Sequence, residues 1–121
     1  MVETEYSKSV MGLQEVVAVD ELDEGKSILF SIKIGESLRE GFLIKHNDEI
    51  YAYLNICPHA DVPIASEQKG AFTADKRYLI CRTHWAMFHP ETGVCVSGPC
   101  PIADLTRLKV VVDNDIIFVG A

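Results

Sequence analysis

Two short stretches hold the residues able to do chemistry. Cys57-Pro58-His59 is a Cys-x-His, and Cys81-Arg82-Thr83-His84 is a Cys-x-x-His; 21 residues separate His59 from Cys81. Thiolates and imidazoles either ligate a metal or attack a carbonyl. A catalytic thiol needs one cysteine, one histidine and an orienting group. Two matched pairs exceed that requirement and point to two thiolates and two imidazoles meeting at one metal centre. Mixed sulfur and nitrogen donors suit zinc or an iron–sulfur centre. Structural zinc sites commonly place two cysteines together and two histidines together, whereas each stretch here mixes the two types. In a two-iron cluster the mixture has a use, because one iron takes both cysteines and the other both histidines.

The surrounding residues resemble the Rieske-type [2Fe–2S] ferredoxin family. CPHADVPI is similar to the first cluster loop of that family, and CRTHWAMFHPETGVCVSGP to its second. LKVVVDNDIIFV resembles its last hairpin. The resemblance implies an all-β fold, a Rieske-like sandwich or barrel base carrying a loop-rich cluster-binding subdomain. It implies that Cys57 and Cys81 bind the inner iron, that His59 and His84 bind the outer one, and that one [2Fe–2S] cluster is held per chain. It also places Ser97, Gly98 and Pro99 in a loop over the cluster and Phe88 beneath the second loop.

The chain departs from the family at several positions. Trp85 stands where the family has glycine after the second histidine, and Asp61 stands where it often has glycine after the first. Glycine there suits close backbone approach or positive φ, and Trp85 is expected as a packed or half-exposed aromatic. The two extra cysteines of respiratory Rieske proteins are Val62 and Thr83 here, and the hydroxyls near their cluster are replaced by Ala86 and Phe88. Without those hydroxyl hydrogen bonds the potential is expected at the lower end of the Rieske range, about −150 mV. Cys95 and Cys100 are expected as free thiols, and His46 and His89 as surface histidines outside the ligand set.

The elements that must position these loops are strands. LQEVVAV (13–19), SILFSIKIG (27–35), GFLIKHND (41–48), EIYAYLNI (49–56), RYLIC (77–81), VCVS (94–97), RLKVVVD (107–113) and DIIFVG (115–120) carry strand signals. Ile28, Phe30, Ile32 and Ile34 alternate with period two, one face buried. Asn47-Asp48 and Asn114 mark tight turns, and DELDEG (20–25) reads as a solvated acidic turn. No segment has a capped helical period. The block 57–106 holds all four cysteines, all five prolines and three of the four histidines, as a loop-rich insertion between strand runs.

The 121 residues are expected to form a single domain, 1–121, with the cluster-binding subdomain at approximately 57–106. The net charge of −7 argues against a nucleic-acid or anionic membrane surface and favours a partner with a basic face. No stretch reads as a signal peptide or a membrane span. A cytoplasmic monomer is expected.

Histidine ligation has an electrostatic consequence. Two thiolates cancel the charge of the oxidised core, so one added electron leaves a single negative charge instead of the three of an all-thiolate cluster, and the potential rises. Such a site moves one electron and offers no open position for substrate. The sequence therefore reads as an electron-transfer component, not itself an enzyme, passing electrons from a reductase to a ring-hydroxylating-type oxygenase. The alternatives are a small Rieske subunit or accessory module of a larger oxidoreductase, such as assimilatory nitrite reductase, and a zinc-bound structural module.

Overall fold

The computed structural model describes residues 12–58, 62–82, 85–97 and 104–121. Among these residues nine strands make two antiparallel sheets, with one short 3-10 turn at Val19–Glu21. The larger sheet contains β1 (Gln14–Ala18), β2 (Ser27–Ile34), β3 (Ser37–His46), β4 (Glu49–Leu54), β8 (Arg107–Asp113) and β9 (Ile116–Gly120). Its strand order is β1-β9-β8-β4-β3-β2. The edge strands β1 and β2 are joined by a side chain, where the Gln14 amide donates to the Ser31 carbonyl. The six strands thus curl into a nearly closed barrel. The smaller sheet, β5 (Leu79–Cys81), β6 (Ala86–Phe88) and β7 (Cys95–Ser97), lies within the block of loops.

Two-residue turns set the register. His46 pairs with Glu49 and Asp113 with Ile116. Asn47 and Asp48 both have positive φ (52° and 66°), as do Asn114 and Asp115 (51° and 61°). Two consecutive left-handed residues match the twist of a hairpin, and Asn and Asp tolerate that region better than most side chains. The Glu24 carboxylate accepts from the amides of Asn47 (2.7 Å) and Asp48 (3.0 Å). The DELDEG segment is therefore more than a solvated turn: its Leu22 is buried in the barrel core, and its Glu24 caps the β3–β4 hairpin.

Residues 41–44 of β3 and 52–54 of β4 are buried on both faces, which explains the unbroken apolar run GFLI. Leu43, Ala52 and Leu54 face the barrel core with Ile32, Leu108, Ile117 and Val119. Phe42, Ile44 and Tyr53 point the other way, into a second core shared with the loops. The period-two set of β2 packs on the barrel core, as its pattern predicts. The strand β6 had no sequence signal of its own: three residues are too few to show a period, and its pairing to β5 and β7 is what extends it.

The amides of Asp48 and Asn47 hold the Glu24 carboxyl below the ordinary glutamate range. A depressed folded pKa contributes stability that is present above the ordinary glutamate value of about 4.3 and is lost as pH falls through the folded value. Glu24→Gln should therefore lower the urea midpoint at pH 7, and the gap to the parent protein should close on acidification. A constant gap between pH 7 and pH 3 would show that the carboxylate charge plays no part.

Candidate metal centre

Cys57 follows β4 by three residues and Cys81 ends β5, and a hydrogen bond closes the loop after each. β4 delivers the chain to Cys57, which is 1% exposed and whose amide donates to the Val62 carbonyl at 2.7 Å. Cys81, fully buried, is the last residue of β5, and its carbonyl accepts from the Trp85 amide at 2.6 Å. Both belong to the second core, together with Phe88, Ala86 and Leu105. Neither is in a disulfide. His59 and His84 lie outside the described residues, as do Asp61, Gly98 and Pro99. Among the described residues no group of three or more His, Cys, Asp or Glu is placed to hold a metal.

Asn55, two residues before Cys57 and only 7% exposed, organises the first loop. Its side-chain oxygen accepts from the amides of Ile64 and Ala65, both at 2.8 Å. Its side-chain nitrogen donates to the Glu40 carboxylate (2.8 Å) and the Ala65 carbonyl (3.0 Å). Every hydrogen-bonding position of the amide is used, as burial of a polar group requires. Sequence reading missed Asn55, because its partners are distant in the chain and no local spacing marks them.

The second loop is tied down from the other side. The Arg82 guanidinium donates to the carbonyls of Gly70 (3.3 Å) and Phe72 (2.9 Å). The buried Tyr53 hydroxyl donates to the Pro90 carbonyl at 2.6 Å, and burial pushes this phenol up, so it keeps its proton. Beside it Gly93 has φ +77°, and a Cβ there would come within 2.8 Å of the Tyr53 ring. The TG turn therefore needs glycine for both space and conformation.

The structure corrects three expectations. Trp85 is 68% exposed instead of packed or half-exposed, and its backbone occupies the left-handed region (φ 61°) in the turn after Cys81. That is the conformation for which glycine is suited. Cys95 is disulfide-bonded instead of a free thiol; Cys57 and Cys81 are not its partners, and its partner lies outside the described residues. His46 is half-buried, with its ring on Phe72 and Nε2 3.0 Å from Glu91. His89 is exposed, as expected.

Comparison with known proteins decides what kind of centre this is. The Rieske [2Fe–2S] domain family matches residues 12–111. The chain belongs to this family. The cofactor of a Rieske domain is a [2Fe–2S] cluster, and the donor types suit it: two buried thiols in one core, each followed by a closed loop that carries a histidine in the sequence. The Rieske chain is 38% identical over 79 residues to the ferredoxin component of the alkene monooxygenase system of Xanthobacter autotrophicus. That match covers 65% of this chain and 58% of the relative. Among solved structures it resembles the ferredoxin of carbazole 1,9a-dioxygenase from Nocardioides aromaticivorans IC177. There the TM-score is 0.65 and the identity 26%, covering 88% of this chain and 97% of that one. It shares its fold also with a protein assigned as the small subunit of an NADH-dependent nitrite reductase of Mycobacterium tuberculosis. For that pair the TM-score is 0.67 and the identity 15%, covering 90% and 94%. No helix among the described residues is long and apolar enough to cross a membrane.

Two outcomes follow from this geometry. Asn55→Ala should cost about 3 kcal/mol, because two buried amides lose their acceptor, and should speed bleaching of the visible absorbance during urea unfolding. Trp85→Gly should keep the chromophore and raise stability by up to about 1 kcal/mol, the relief of left-handed strain less the added chain entropy. A thermal melt showing Trp85→Gly well below the parent would mean that the indole packs where the structure leaves it exposed.

Proposed function

We propose that this protein is a one-electron carrier, with one [2Fe–2S] cluster held by Cys57, His59, Cys81 and His84. It takes electrons from a reductase and passes them to a terminal oxygenase of the ring-hydroxylating type or a related monooxygenase. The observation that carries this reading is the placement of Cys57 and Cys81. They lie in one core, just after β4 and at the end of β5, in a chain whose Rieske relatives are named as ferredoxin components of oxygenase systems. Residues 1–121 are read as a single Rieske domain, with 57–106 as its cluster-binding part, working as a cytoplasmic monomer.

The residues of the chain have distinct tasks in this role. The two thiolates sit in the dry core, where Phe88 and Ala86 offer no hydroxyl to the sulfur atoms. The bound cluster supplies one-electron redox chemistry. Asn55, Arg82 and Tyr53 hold the two loops, so little rearrangement accompanies a change of charge. A rigid donor site lowers the cost of electron transfer because the protein dipoles do not have to reorient.

The decisive experiment is an absorption spectrum in air, then electron paramagnetic resonance after dithionite reduction. A red-brown protein, whose reduced signal has an average g below that of all-cysteine clusters, is expected. Cys57→Ala and His84→Ala should abolish the visible spectrum, while His89→Ala leaves it unchanged. The midpoint potential should fall near the lower end of the Rieske range, about −150 mV. A colourless, zinc-containing protein prepared without air would reject the carrier. Stable co-purification with a large catalytic subunit would move the chain to the accessory class of the nitrite reductase type.

A further inference from the structure

The molecule is acidic, with 18 Asp and Glu against 11 Lys and Arg. Three of its lysines nevertheless line one cleft. Lys26, from the start of β2, meets Lys69 and Lys76 from the segment between the two cysteine loops, around a cavity of about 250 Å³. Glu67 is the one carboxylate on the lining. Among the described residues none of these lysines forms an ion pair, the sole pair being His46–Glu91.

The nearby carboxylates are engaged elsewhere. Glu24 accepts from the Asn47 and Asp48 amides. Asp75 accepts from the Thr73 hydroxyl at 2.6 Å and from the Arg77 amide at 3.1 Å. Both keep their charge, so the positive excess is that of the lining itself, three lysines against Glu67.

One of these exposed lysines, Lys76, is also held in place. Lys76 has φ 63°, a conformation that costs energy for any residue with a Cβ. The space a Cβ on Gly25 would occupy lies 3.4 Å from Lys76 Cδ, so the lysine stem crosses that glycine. On the other wall Gly70 (φ +66°) brings its backbone to the half-buried Ser27 hydroxyl, with 3.4 Å left for a Cβ. Left-handed backbone at a residue with a Cβ, as at Lys76, clusters at binding sites. The floor is rigid as well, because Arg82 anchors the Gly70 and Phe72 carbonyls to the second cysteine loop.

We propose that this cleft is a binding site for a small polyanion of the phosphate type. Its volume lies below the roughly 300–1,000 Å³ of organic-ligand pockets, which suits a compact anion. Lysine serves as a point charge for phosphate, and the Ser27 hydroxyl supplies a directed donor. Neither Cys57 nor Cys81 lines the cleft, and Arg82, one residue after Cys81, anchors its floor.

Titration calorimetry of the purified holoprotein with inorganic pyrophosphate, at about 0.15 M salt to screen diffuse attraction, tests the proposal. Saturable one-to-one binding is expected. Lys76→Gly should weaken it about tenfold or more, since glycine accepts the positive φ and leaves the fold intact. Lys69→Ala, at an exposed position, should do the same. Lys109→Ala, on β8 away from the cleft, should change it less than about twofold. Absence of saturable heat would overturn the proposal. So would equal weakening by Lys109→Ala and Lys76→Gly, because the attraction would then belong to the overall charge and not to the cleft.

Discussion

The side-chain amide of Asn55 is the contact on which the site depends most. A residue at the exit of a central strand reaches the first cysteine loop through the amides of Ile64 and Ala65, and the neighbouring strand through Glu40. Buried amides without partners cost the full penalty of desolvation. A loop that leaves the sheet between hydrophobic layers can stay buried only if such a group pairs with it. Asn55 meets that need with one side chain, and Cys57 two residues later is thereby fixed in the core.

The rest of the fold supplies the same rigidity from other directions. The barrel of six strands gives a base with its own apolar interior, and the outer faces of β3 and β4 give a second core on which both loops rest. Tyr53 and Arg82 hold the second loop as Asn55 holds the first. Burial is strongest at the thiols and falls towards Trp85. This gradient would suit the proposed carrier, dry at its thiols and open to a partner at its tip. The acidic surface would steer a basic partner over distances set by salt, about 8 Å at physiological ionic strength.

Much of this was legible in the chain. Hairpin turns at Asn47-Asp48 and Asn114 declared themselves because only a few residue types accept two left-handed conformations in a row. The period of β2 named its buried face. Other features were not legible, and each for a physical reason. β6 is too short to carry a period. Trp85 looked like a packing residue because tryptophan usually is; whether a surface indole finds neighbours is decided by the folded loops, and here it stands exposed. The disulfide at Cys95 ran against the expectation from a reducing compartment, since closeness of two thiols is a property of the folded loop.

The sequence by itself determined the donor types, their spacing and the strands that precede them, because ligand chemistry and side-chain alternation are local properties. It determined the surplus of negative charge as well. Tertiary structure decided which distant groups meet: Asn55 with Ile64 and Ala65, Tyr53 with Pro90, and Lys26 with Lys69 and Lys76 around one cleft. Those meetings depend on how two sheets and their loops close in three dimensions, and no local pattern of residues encodes a distance across them.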